Sequence, residues 1–155
     1  MGVPEVERFF EIKNIKKEII FFNESSATVA LAAKALGVKE EKIAKTLAFN
    51  VKDKNIVVVA CGTAKIDNHK FKETFNAKAK MMTYEETMEK TGHPIGGVCP
   101  FGLPESVEIY IDESIAEFDT IYPAAGGTNT AIKMTPDELT QITGGKWIDV
   151  CKANN

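Results

Sequence analysis

Apolar residues along the chain recur with two different periods. Near the start, Val6, Phe9 and Phe10 fall three and four apart, which predicts a helix over residues 3–15 with one buried face. Residues 18–22, EIIFF, read as a short strand. Ser25 or Ser26 is expected to cap a helix that runs to residue 36 and stops at Gly37, a residue free to turn left-handed. Residues 43–51 alternate and predict a strand. Residues 53–55 predict a turn, and the unbroken run IVVVA at 56–60 predicts a strand buried on both faces. Asp67 caps a helix over 68–75, residues 78–82 read as a strand, and Thr83 caps a helix ending at Gly92. A loop rich in Gly and Pro spans 93–104. Strands follow at 107–111, 120–122 and 130–134, the latter two separated by a turn at 124–127. Thr135-Pro136-Asp137-Glu138 has Thr at the N-cap, Pro at N1 and Glu at N3, the pattern of a capping box. Its helix ends at Gly144, and residues 146–150 make a last strand. The fold class is mixed α/β with a central sheet of six or seven strands.

Composition narrows this little. At 155 residues with 44% hydrophobic and 26% charged residues, the chain is expected to be one globular domain over 1–155. The absence of a long apolar run and of a basic-then-apolar start leads to the expectation of a cytoplasmic protein without a membrane partner. Cys61, Cys99 and Cys151 are odd in number and far apart, as free thiols in a reducing compartment would be. Charge removes one class of partner. Lys and Arg total 19 against 22 acidic residues, a net −3, and only Arg8 is Arg. Reading bases in duplex DNA relies on bidentate Arg, so duplex DNA is not an expected partner.

Candidate chemistry is sparse. The nucleophile elbow, zinc-protease helix, phosphate-binding loop and dinucleotide fingerprint are all missing, and no Cys or His pair has zinc spacing. No metal or cofactor is therefore expected. In the loop, Gly96 and Gly97 leave main-chain N–H groups uncovered, and Pro100 extends Cys99. Such a loop can act as an oxyanion hole or serve as a structural turn. Cys99 with His93 suggests a thiol nucleophile or, more simply, a packed thiol. Lys45 shares a strand face with Ile43, Leu47 and Phe49, so it either reaches solvent along its stem or meets an anion.

Five segments in order carry a family pattern: Ile43-Ala44-Lys45-Thr46-Leu47, Gly62-Thr63-Ala64-Lys65-Ile66-Asp67, Gly92-His93-Pro94-Ile95-Gly96-Gly97-Val98-Cys99-Pro100, Ile109-Tyr110-Ile111-Asp112-Glu113-Ser114 and Ile121-Tyr122-Pro123-Ala124-Ala125-Gly126-Gly127. Together they resemble the YbaK/EbsC family, whose relatives include the editing insertion domain of bacterial prolyl-tRNA synthetase and freestanding prolyl-tRNA editing proteins. The resemblance implies a mixed sheet curled toward a barrel, with helices packed round it. It also implies a trans-editing deacylase that hydrolyses the ester of a mischarged tRNA, such as proline tRNA carrying Cys, Ala or another small amino acid. The family's essential lysine falls on Lys45. Substrate-binding positions fall on Thr46, on the G-x-x-x-P loop of Gly96, Gly97, Val98, Cys99 and Pro100, and on the turn of Gly126 and Gly127. The implied partner is the 3′ aminoacyl end of tRNA, with an aminoacyl-tRNA synthetase as a possible second one. Such an ester is already activated, so water can attack it without a metal or a covalent intermediate. Cysteine-selective relatives tend to carry an acidic residue where this chain has Ala131, which leaves alanyl, seryl and threonyl esters open. The alternative function is a non-catalytic module that binds an aminoacyl or nucleotide group on the same fold.

Overall fold

The computed structural model describes residues 2–153. Helix α1 is Val3–Ile12, with Pro in its first turn. It buries Val6 and Phe10 against Phe101, the Phe10 and Phe101 ring centroids being 5.2 Å apart. Strand β1 is Ile20–Phe21, shorter than its apolar run predicts. Helix α2, Val29–Leu36, is capped by the Thr28 side chain and closed by Gly37 in the left-handed region. Ser25 and Ser26 are not its cap, because both hydroxyls are turned toward the Thr128 carbonyl.

Strands β2, Ile43–Val51, and β3, Lys54–Cys61, form the expected hairpin, with the turn shifted to Lys52 and Asp53. Val57 to Ala60 are fully buried, as a run apolar on both faces requires. Helix α3, Asn68–Phe75, is capped by Asp67, and α4, Tyr84–Thr91, by a complete capping box from Thr83 and Glu86. Residues 78–82 do not form a strand: only Met81 bridges, to Phe49. Strand β4 is Val107–Asp112, β5 is Tyr122–Pro123 and β6 is Thr130–Ala131. Helix α5, Pro136–Thr143, has the predicted box of Thr135 and Glu138, and β7 is Lys146–Ile148.

The main sheet has five strands in the order β5-β2-β3-β4-β7, and β1 pairs with β6 in a second ladder. The β2–β3 pair is antiparallel, while β5, β4 and β7 join in parallel. A bridge from Ile121 to Met134 and a bond from the Ile132 N–H to the Pro123 carbonyl connect the two ladders. The seven strands are thus divided between a five-stranded mixed sheet and a two-stranded ladder, where the sequence predicts one central sheet of six or seven; the short β1 and β6 pair only with each other. The larger core gathers residues such as Ile111, Ile121, Ile132 and Leu139. A second core under α3 stacks Phe49, Phe71, Phe75 and Tyr110 at centroid spacings of 4.9, 4.7 and 5.0 Å, contacts worth about 0.5–1.5 kcal/mol each beyond burial.

Candidate functional site

A cavity of about 310 Å³ opens beside β2. One wall is the strand itself, from Ile43 to Ala48. The others come from the start of α2 (Val29, Ala32), from Met81 and Met82, from the Gly/Pro loop (Ile95, Gly96, Val98), and from Tyr122, Ala124, Thr130 and Ala131. The lining is predominantly apolar. Among the described residues that line it, Lys45 alone carries a formal charge.

Lys45 is half-buried, and its ammonium donates to the carbonyls of Gly62 and Ala64, at 3.3 and 2.5 Å. Burial lowers its pKa below the ordinary lysine value; the nearby Cys151 and Cys61 thiols oppose that shift and Lys65 adds to it. Two of the three ammonium hydrogens are thereby committed, and one remains for a ligand. The loop that supplies these carbonyls is itself held. The Ser114 hydroxyl accepts the Cys61 N–H at 3.0 Å. The buried Asp112 carboxylate accepts the N–H of Ser114 at 2.9 Å and of Val150 at 2.8 Å. A side chain on Gly62 would lie 2.1 Å from the Glu40 carbonyl. The segments 62–67 and 109–114 therefore place the lysine amine, a role that spacing alone did not assign to them.

The expected binding residues do not all reach the cavity. Thr46, Gly96 and Val98 line the cavity beside Lys45. The Thr46 hydroxyl is buried and meets no hydrogen-bond partner. Gly97, Gly126 and Gly127 lie behind the lining, where two loops pack backbone to backbone. The Gly126 N–H donates to the Gly97 carbonyl at 3.0 Å. An added Cβ at Gly97 would sit 2.8 Å from Gly127, and one at Gly126 would sit 2.5 Å from Gly2. Thr130, which spacing did not single out, ties the glycine turn together: its hydroxyl accepts the N–H groups of Ala125 and Gly127 and donates to the Gly127 carbonyl. Pro100 faces a different hollow, shared with Phe9 and Glu105.

Cys99 and His93 do meet, with the sulfur 3.6 Å from Nε2, but both are fully buried. Burial pushes the Cys99 thiol up to about 12. Burial also lowers the His93 pKa, and its Nε2 lies 2.8 Å from the Phe101 carbonyl. A neutral thiol in the core is not an activated nucleophile. Its contribution here is packing. Among the described residues no group of three or more His, Cys, Asp or Glu side chains is placed to hold a metal ion, and no helix is long and apolar enough to cross a membrane.

The model of the aminoacyl-tRNA editing domain matches residues 23–142. The chain belongs to the aminoacyl-tRNA editing domain family. Every cavity residue from Ser26 to Ala131 lies within the matched span. The chain is 47% identical over 154 residues to YwhH, an uncharacterized protein of Bacillus subtilis (strain 168), covering 98% of each. It is 33% identical over 89 residues to a proline–tRNA ligase of Geobacillus sp. (strain WCH70), covering 57% of this chain and 16% of the ligase. A crystal structure of a candidate trans-editing enzyme for prolyl tRNA synthetase superposes with a TM-score of 0.89 at 26% identity, covering 97% of both chains. The resemblance to YbaK/EbsC proteins and to the synthetase editing region, and the mixed α/β fold it implied, are thus upheld. Between the editing domain and its cavity, the position of Lys45 is the point where the family pattern and the geometry coincide.

Proposed function

We propose that the protein is a freestanding aminoacyl-tRNA deacylase that hydrolyses the ester of a mischarged proline tRNA carrying a small amino acid such as Ala, Cys or Ser. The observation that carries this reading is the cavity against β2, in which an editing-family chain sets a single lysine among apolar walls. Such a cavity suits a small uncharged side chain. The reaction needs the ester held, its developing charge stabilised and water directed at it. The free hydrogen of the Lys45 ammonium serves the terminal phosphate or the developing oxyanion by a charge-assisted bond. The Gly96–Val98 main chain positions the ribose, and the buried Cys99 takes no covalent part. With net −3 charge, the protein neutralises few phosphates, so tRNA binding is modest and falls with salt. A synthetase that retains the tRNA is the natural partner, and the cytoplasm the natural compartment.

The test is a panel of purified proline tRNAs charged with Ala, Cys, Ser and Thr. Hydrolysis of at least one, lost in Lys45→Ala with the thermal melt preserved, is expected. Binding without hydrolysis of any panel member would select the non-catalytic module instead. Wild-type turnover by Lys45→Ala would remove the lysine's role.

A further inference from the structure

Strand β2 is covered on its outer side at both ends and bare between. Ala44 sits opposite Pro123 of β5. At the other end the Met82 N–H donates to the Ala48 carbonyl, and the Asn50 N–H to the Lys80 carbonyl. In a strand, the N–H and C=O of one residue point to the same side, and successive residues alternate sides. Ala48 and Asn50 fix the parity: even-numbered residues face away from β3. The N–H and C=O of Thr46 and the N–H of Ala48 therefore face outward, into the interval between Ala44 and Phe49. None of these groups meets a hydrogen-bond partner among the described residues. That interval is where the cavity lies, since Thr46, Leu47 and Ala48 line it together with Met82, Tyr122 and Ala131. The Lys45 amine bonds to the carbonyls of Gly62 and Ala64 and not to these edge groups.

An unpaired strand edge is a template for another extended main chain. Here the edge offers donor, acceptor, donor in sequence, set in an apolar cavity where unmet polar groups are costly. An α-aminoacyl ester presents the complementary groups, a cationic nitrogen and a carbonyl on adjacent carbons. We propose that the open edge of β2 binds the main-chain part of the aminoacyl group, its α-ammonium donating to the Thr46 carbonyl and its ester carbonyl accepting from the N–H of Thr46 or Ala48. This deepens the editing reading and rests on it for the identity of the ligand. Recognition of this kind is blind to the amino acid's side chain, which is left to the apolar walls.

Amide hydrogen exchange followed by NMR tests the site with the intact wild-type chain. In the free protein the Thr46 and Ala48 amides are expected to exchange faster than those of Lys45 and Leu47, which face β3. Adding adenosine with alanine amide-linked at its 3′ position, a non-hydrolysable aminoacyl end, is expected to slow Thr46 or Ala48 by about tenfold or more, leaving Lys45 and Leu47 unchanged. A second arm compares alanyl-tRNA with propionyl-tRNA, which lacks the α-ammonium. Each rate is divided by that of the uncatalysed ester, and the enhancement is expected to fall by about tenfold or more for propionyl. Equal enhancement, or Thr46 and Ala48 amides unmoved by the analogue while alanyl-tRNA is hydrolysed, would overturn the edge assignment and leave the editing reading standing. Ligand-dependent slowing with no hydrolysis of any aminoacyl-tRNA would do the reverse.

Discussion

Replacing Asp112 by Asn changes one oxygen for an NH2 group and little else in shape. The carboxylate accepts two main-chain hydrogen bonds, Val150 N–H on Oδ1 at 2.8 Å and Ser114 N–H on Oδ2 at 2.9 Å, and is 1% exposed. An amide can accept only one of them and must aim its own N–H groups at the other donor. Leaving a buried donor unmet costs about 1–3 kcal/mol, and loss of the charge-assisted character of the remaining bond adds to it. The sum is about 3 kcal/mol, which for a domain of this size lowers Tm by roughly 6–12 °C. The consequence reaches the site through Ser114, which holds the Cys61 N–H, and so through the Gly62 and Ala64 carbonyls that hold the Lys45 amine. Differential scanning calorimetry gives the stability change, and deacylation measured well below Tm gives the change at the site. Glu113→Gln, exposed on the same turn, is the control and should shift stability by less than about 0.5 kcal/mol. If Asp112→Asn melts with the wild type and turns over normally, the chain of bonds from Asp112 to Lys45 has no functional meaning.

Three further outcomes follow from the same geometry. Cys99→Ser is expected to retain deacylation, and native Cys99 to resist iodoacetamide at neutral pH, because burial holds its thiol up at about 12; total loss of activity would restore a thiol mechanism. Burial depresses the His93 pKa in the folded state, so the unfolded chain binds more protons just below the ordinary value of about 6.5. Stability is therefore full above that pH and declines as pH falls through it, and a melt series from about pH 7.5 to 5.5 should show a slope that flattens in His93→Leu; an unchanged slope would assign it to other groups. Gly62→Ala forces a methyl to within 2.1 Å of the Glu40 carbonyl and should cost about 1–3 kcal/mol as overpacking, with a matching fall in turnover; a wild-type melt would show that the loop yields.

Local signals were legible wherever the chain itself supplies the closing interaction. The capping boxes of Thr83–Glu86 and Thr135–Glu138 and the Asp67 cap start their helices at the predicted residues. The long alternation of β2 gives its bounds. The short strands were not legible, because a pair of apolar residues becomes a strand only if a partner arrives from elsewhere. Ile20–Phe21 extends no further than Thr130–Ala131 can pair with it, and residues 78–82 find only Phe49. The α2 cap moved to Thr28 for a related reason: Ser25 and Ser26 are drawn off by Thr128, about a hundred residues away in sequence. Of the cavity lining, Lys45, Thr46, Gly96 and Val98 were named by the family pattern. Met81, Met82, Tyr122 and Thr130 were not, since each reaches the cavity through a non-local pairing.

The two modes of recognition proposed for this cavity complement each other. In the proposed mode, main-chain hydrogen bonds along the open strand edge give affinity for any α-aminoacyl ester and no information about its side chain. Apolar walls discriminate only weakly, by about 1–3 kcal/mol for each methylene. In the proposed mode cognate proline meets the same edge with a secondary ammonium. That nitrogen keeps two N–H groups, but its third substituent is a ring carbon, so an edge that approaches it closely, between Pro123 and Met81, meets carbon where Ala, Ser or Cys presents a third hydrogen. In that mode selection against the cognate residue falls on its nitrogen, and the apolar walls are left to accept several small side chains, which is the selectivity that the proposed editing on proline tRNA demands.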